Sequence, residues 1–148
     1  MNDKYMAIAV EEAKKALNLN EVPVGAVIVY KDKVIAKAYN KKEKLVCATK
    51  HAEILAIEKA SKKIGNWRLN DCDLYVTLEP CPMCASAIVQ SRINNVYAGI
   101  TSNDIKNAEI INKIFNNNYN NKTVNYSCGY LISEIETLLK KFFLKRRK

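Results

Sequence analysis

The sequence predicts an α/β domain with helices layered around a mixed sheet. Two observations carry this. Short β-branched runs alternate along the chain with longer segments of helical period. The length, 148 residues with 49% hydrophobic content, suits one domain with a real core.

From Asp3 to Leu19 the residues Tyr5, Ile8, Ala9, Ala13, Ala16 and Leu17 recur at helical spacing with Lys and Glu between them, which predicts an amphipathic helix. Val24–Tyr30 and Val34–Tyr39 are apolar, β-branched runs. Lys31-Asp32-Lys33 lies between them, so they read as a hairpin whose turn lacks glycine. Pro23 and Gly25 open this hairpin, where a tight backbone lets a ligand approach. Asn40–Lys50 is polar and reads as a loop, the kind of segment that carries pocket residues.

His51–Ile64 is predicted as a helix with Ala52, Ile54, Leu55, Ala56, Ile57 and Ala60 on its core side and Gly65 as its stop. Asp73–Leu78 is a short buried strand. Cys81–Ser91 is the next helix, and Pro80 and Pro82 suit its entrance, where a missing amide hydrogen costs nothing. Asn95–Ile100 is a strand and Asp104–Phe115 a helix. The Asn-rich stretch Asn116–Asn121 is a loop with no function attached. Thr123–Ser127 is a fifth strand, and the last helix runs from Tyr130 to about Arg146. With no repeat and no linker, residues 1–148 are expected to form a single domain with a basic C-terminal helix and tail.

The formal net charge is +9. The last nine residues, Lys140 to Lys148, carry six basic groups and no acid, so two thirds of the charge sits in the tail. That asymmetry points to a polyanion, and Lys145, Arg146, Arg147 and Lys148 are the candidate RNA contacts. Phe142 and Phe143 are flanked by the six basic groups, able to pack against the body or to stack on an unpaired base. The plain alternative is a solvated helix end whose cations suit the macrodipole. No apolar run is long enough to span a bilayer, and the N-terminus shows no signal pattern, so a cytoplasmic protein is expected, or one whose targeting segment is missing. Five cysteines, an odd number, fit reduced thiols and a metal better than a disulfide framework. Cys47, Cys72 and Cys128 are expected to be small, partly buried hydrophobes, Cys47 with a chance of lying at a pocket rim.

The chemistry concentrates in His51-Ala52-Glu53 and Pro80-Cys81-Pro82-Met83-Cys84. Two cysteines three apart share one face of a helical turn and reach one ion. With His51, the chain's sole histidine, they make three ligands and leave a fourth tetrahedral position open, the catalytic pattern. Zinc in such a site lowers the pKa of bound water towards neutrality. Glu53, two residues after His51, is placed to shuttle protons without binding the metal. Taken alone, Cys-x-x-Cys also fits a redox pair or half of a structural zinc site, and a lone His-x-Glu means little. The combination H-x-E…P-C-x-x-C is the signature of zinc nucleobase deaminases.

More of the chain fits one family. Glu21-Val22-Pro23-Val24-Gly25-Ala26-Val27, Asn40, His51-Ala52-Glu53-Ile54, Trp67-Arg68-Leu69, Leu74 through Cys84, Ser91-Arg92-Ile93, Gly99 and Phe142-Phe143 together resemble the bacterial tRNA-specific adenosine deaminases of the cytidine deaminase-like superfamily. The resemblance runs over nearly the whole chain. It implies a three-layer α/β/α fold with a central five-stranded mixed sheet. It implies one Zn2+ per subunit on His51, Cys81 and Cys84, with Glu53 as proton shuttle. Asn40 matches the residue that contacts the flipped base, and Val24 a position in the pocket wall. The implied substrate is the wobble adenosine of a tRNA anticodon stem-loop, converted to inosine by a homodimer that binds RNA near its interface and C-terminal helix. Two segments depart from the family pattern. Lys41–Lys50 ends in Cys47-Ala48-Thr49-Lys50, and Ile100–Ile111 has no glycine, with Asp104 the nearest match to a family aspartate. A deaminase of free nucleobases or nucleotides (cytosine, guanine) and a non-catalytic zinc and RNA-binding module are the competing readings. The first would not need the basic tail, and the second would need a fourth ligand.

Overall fold

A computed structural model describes residues 2–116 and 123–146. The described elements run α1 (Asn2–Asn18), β1 (Gly25–Tyr30), β2 (Lys33–Tyr39), α2 (Ala52–Ile64), β3 (Cys72–Leu78), α3 (Pro82–Gln90), β4 (Asn95–Ile100), α4 (Ile105–Asn116), β5 (Asn125–Cys128) and α5 (Ile132–Arg146). The strands form one mixed sheet in the order β2-β1-β3-β4-β5. β1 is antiparallel to both β2 and β3, while β3, β4 and β5 are parallel. This is the three-layer α/β/α arrangement expected from the sequence. The Asn-rich stretch lies outside the described residues beyond Asn116. Among the described residues no helix is long and apolar enough to cross a membrane.

Alternation along the strands creates the layers. Ala26 and Ile28 of β1, Leu74 and Val76 of β3, and Val96 and Ala98 of β4 face one core with Ala52, Leu55 and Ala56 of α2, Ala85 and Ile88 of α3, and Ile111 and Phe115 of α4. Their sequence neighbours Val27, Val29 and Tyr75 face the other core with Met6, Ala9, Val10 and Ala13 of α1 and Ile135 and Leu138 of α5. Period-two strands buried on both faces leave no solvated side, so they read as apolar runs without polar alternation. On the α1–α5 side, aromatic rings run across the sheet. Tyr5 lies 5.2 Å from Tyr75, Tyr75 stacks on Tyr97 at 4.7 Å, and Tyr97 meets Tyr130 edge-on at 5.9 Å.

The hairpin turn has two residues, because Tyr30 pairs with Lys33. Lys31 and Asp32 take φ of 49° and 61°, the positive values that a primed type I turn demands, without glycine or asparagine. Gly25 corrects an expectation. Its open face admits a helix, not a ligand: a Cβ there would collide with the Ala9 carbonyl of α1 and lie 2.7 Å from the Ala13 nitrogen. The Gly25 amide donates to Thr77 Oγ1 on β3 at 3.2 Å. α1 is thereby seated directly on the start of β1, and β1 on the end of β3.

Gly25→Ala is expected to cost about 3 kcal/mol, the upper end of overpacking, because backbone and not side chain must give way. Gly65→Ala, at φ 77° with nothing within 4 Å of the new Cβ, should cost only left-handed strain of about 1–2 kcal/mol. Urea unfolding of the two variants distinguishes a steric from a torsional penalty.

Candidate metal centre

His51 and Cys81 are not the first residues of their helices but the N-caps. His51 has φ −74°, ψ 157°, and Cys81 has φ −78°, ψ 171°, both extended. For Cys81 the reason is Pro82, whose ring excludes the helical region from the residue before it. Neither side chain caps its own helix. Their carbonyls accept the first helical bonds, from Leu55 at 3.1 Å and Ala85 at 2.9 Å. Both side chains are therefore free to turn to a shared centre, with two positive helix ends pointing at it.

The His51 Nδ1 lies 3.7 Å from Cys81 Sγ and 3.5 Å from Cys84 Sγ. All three ligand atoms fall within 4.8 Å of one another. Metal–sulfur bonds of ~2.3 Å and metal–nitrogen bonds of ~2.0–2.1 Å at tetrahedral angles put N and S about 3.6 Å apart. The donor set and its spacing thus fit a tetrahedral Zn2+ with one position to spare. Among the described residues this group holds only these three side chains.

The trio's protons are shared unequally. The hydrogen bond with Cys84, joined by that with His51, holds the Cys81 thiol at about 4, despite its half burial. Cys84 is pushed up by the same hydrogen bond and by burial. His51 is raised by its hydrogen bond to Cys81. Glu53, only 4% exposed, is raised to about 7 by burial. A carboxyl near neutrality at the edge of a metal site can both take and give a proton.

A pocket of about 220 Å³ opens onto this cluster, lined by Val22, Val24, Asn40, Lys42, Leu78 and Glu79 beside His51, Ala52, Glu53 and Cys81. Asn40 and Val24 therefore stand in one wall with the cluster. Asn40 is buried; its Nδ2 donates to the Val22 carbonyl at 3.4 Å, and its Oδ1 accepts the Lys42 amide at 3.3 Å.

Two further buried glutamates hold segments around the pocket. Glu21, 1% exposed, accepts the amides of Glu43 and Lys44 at 3.0 and 2.7 Å, pinning the loop after β2. Glu79, 5% exposed, accepts from Asn107 Nδ2 at 2.9 Å, the Ser102 amide at 3.3 Å and the Tyr126 hydroxyl at 3.2 Å. The only signal for either was an acid embedded in an apolar run. Asp104 accepts the Lys106 amide at 2.9 Å and so caps α4.

The remaining candidates scatter. Phe142 is 3% exposed and belongs to the body, while its edge-on neighbour Phe143 is 54% exposed. Phe143 and Lys140 line a larger cavity of about 630 Å³ between the end of β4 and α5. Lys145 is exposed, Arg146 ends α5, and Arg147 and Lys148 lie outside the described residues. Cys47 does not line the deeper pocket; its thiol pairs with Thr49 Oγ1 at 3.2 Å. Cys72 is buried, as expected, but Cys128 is exposed at the end of β5. That strand is the short sheet edge, which leaves its last residue uncovered.

The family model of the MafB19-like deaminases matches residues 1–147. A tRNA-specific adenosine deaminase of Bacillus subtilis is 41% identical over 150 residues, covering 99% of this chain and 91% of that protein. A chloroplastic tRNA(adenine(34)) deaminase of Arabidopsis thaliana is 52% identical over 99 residues, 67% of this chain and 8% of that much longer protein. A structure from a study of A-to-I editing by tRNA:A34 deaminases at the wobble position of transfer RNA superposes with a TM-score of 0.83 at 38% identity, over 92% of this chain and 99% of the other. A Nitrosomonas europaea guanine deaminase superposes with a TM-score of 0.80 over 95% of this chain and 83% of the other, but at 20% identity shares the fold alone.

The unequal thiols give a test in chelator-treated protein. Cys81, held at about 4, is thiolate at pH 6, whereas Cys84 is raised and an ordinary thiol is ~1% ionised or less at that pH. Iodoacetamide at pH 6 should therefore modify Cys81 well ahead of Cys84, as peptide mass spectrometry would show. Equal labelling would contradict the asymmetry.

Proposed function

The chain belongs to the MafB19-like deaminases and to the tRNA-specific adenosine deaminases, and on that premise we propose that it converts adenosine to inosine at the wobble position of a tRNA anticodon by hydrolytic deamination. The observation that carries the reading is a buried carboxyl, Glu53, that shares one pocket with His51 and Cys81 of the three-donor cluster.

His51, Cys81 and Cys84 would hold one Zn2+ per subunit. When bound, the ion supplies an activated water at neutral pH. Glu53 moves the protons: it carries one to the ring nitrogen beside C6 and then delivers one to the departing amine. Water contributes the new oxygen, and ammonia leaves. A carboxyl held at about 7 suits a group that must accept and release in one cycle. Asn40, fixed by its bonds to Val22 and Lys42, presents a buried amide to the base edge, and Val24 forms the wall against which the ring lies. Lys42 on the pocket wall suits a phosphate of a flipped nucleotide. The basic end of α5 and Phe143 extend the RNA contact, two subunits together grip the stem-loop, and the cytoplasm is where reduced thiols and this substrate meet.

Inosine and ammonia should appear with an anticodon stem-loop carrying a wobble adenosine, and not with free adenosine or cytosine. Preference for a free base would move the protein to another deaminase class. Glu53→Gln should lower turnover by about 10²-fold or more while elemental analysis still finds one zinc per subunit; activity within about tenfold of wild type would contradict the shuttle.

Removing residues 145–148 should weaken stem-loop binding and flatten its salt dependence by roughly 0.7–0.9 in log–log slope per lost phosphate contact. An unchanged slope and affinity in a titration from low to high salt would take the tail out of the RNA surface.

A further inference from the structure

We infer that Glu79 is a positioning residue for the reaction in this pocket, fixing the segment from Ile100 to Asn107 against the turn that carries Cys81. The inference rests on the deaminase reading above and adds a role for a residue that is not a ligand and does not shuttle protons.

Three elements converge on this one carboxylate. The Ser102 amide comes from the loop after β4, Asn107 Nδ2 from α4 and the Tyr126 hydroxyl from β5. The Glu79 amide donates to the Ile100 carbonyl at 2.8 Å, so backbone and side chain hold the same segment from both ends. Asn107 Nδ2 also donates to the Pro80 carbonyl at 3.2 Å. A single amide group thus ties α4 both to Glu79 and to the residue immediately before Cys81. All of Glu79's bonds come from neutral donors; among the described residues no ion pair includes it.

The placement gives these bonds a consequence for substrate. Glu79 lines the pocket next to His51, Glu53 and Cys81. The segment it holds, through Ile100, Thr101 and Asn103, lines the larger neighbouring cavity with Lys140 and Phe143. Glu79 therefore ties the wall of the smaller hollow to a segment that lines the larger one. A polynucleotide with one base in the smaller hollow and its continuing chain across the larger one has its register defined by this joint. Small displacements matter here, since misplacing a reacting group by about 1 Å costs on the order of 10²-fold in rate.

The chemistry also predicts which replacement is tolerated. Glutamine keeps one carbonyl oxygen, enough to accept both Ser102 and Asn107, and its NH2 donates to Tyr126, whose hydroxyl accepts as readily as it donates. The carboxylate charge is dispensable and the geometry is not. Alanine removes all three side-chain bonds and leaves only the Glu79 amide's bond to Ile100 and the Asn107 bond to Pro80.

The test compares Glu79→Gln, Glu79→Ala and Asn107→Ala in the zinc-loaded protein, with kcat and KM measured on whichever substrate the wild type turns over. Failure of the wobble-adenosine reading then leaves this test standing. We expect Glu79→Gln within about threefold of wild type, and kcat at least tenfold lower in Glu79→Ala and Asn107→Ala with one zinc retained. Asn107→Ala carries the test if Glu79→Ala does not fold. Hydrogen exchange reads the joint without turnover: residues 100–107 should exchange at least tenfold faster in Glu79→Ala, with α2 and α3 unchanged and Glu79→Gln like wild type. Kinetics near wild type with only a lower Tm would make Glu79 purely structural and overturn the inference. So would zinc loss in step with activity, or unaltered exchange in 100–107.

Discussion

Two helix N-termini must meet. Everything about the site depends on bringing the residues that open α2 and α3 close enough for an imidazole and two sulfurs to lie within 4.8 Å. The sheet achieves this with three adjacent strands. β2 delivers the chain to His51, β3 delivers it to Cys81, and β1 between them fixes the distance. Extended backbone at both caps leaves the side chains outside their own helices. Had either been helical, its side chain would lean along the helix and away from the centre.

Around that centre, three buried glutamates do different work because their partners differ. Glu21 accepts two backbone amides and fixes a loop. Glu79 accepts a backbone amide, a carboxamide and a hydroxyl and fixes a wall. Glu53 is buried beside a thiol pair, and its proton is held near neutrality by desolvation.

Much of this was legible in the chain. Each of the ten elements among the described residues lies within two residues of its expected bounds, because apolar runs of period two and amphipathic runs of period 3.6 are local signals. The donor set was legible because Cys81 and Cys84 lie three apart and His51 is the chain's sole histidine. The rest depended on contacts remote in sequence. Gly25 reads as room for a ligand until α1 is seen lying on it. Phe142 and Phe143 are indistinguishable by type, and only the packing of α5 decides which is buried. Glu21 and Glu79 gave no pattern, since their partners lie 22 to 47 positions away and several are main-chain amides.

The sheet has a seam. α2 packs on the β1–β2 hairpin, whereas α3 packs with α4, so the histidine follows the hairpin half of the sheet and the cysteines follow β3 of the other half. Those halves join where β1 pairs with β3, a contact that spans from Tyr30 to Cys72 at its nearest. Closing such a loop costs chain entropy before it returns anything. An ion bound by donors from both sides would act as a staple across that seam, adding free energy to the assembled sheet and none to either half alone. The chemistry and the cooperativity of the fold would then share one set of bonds.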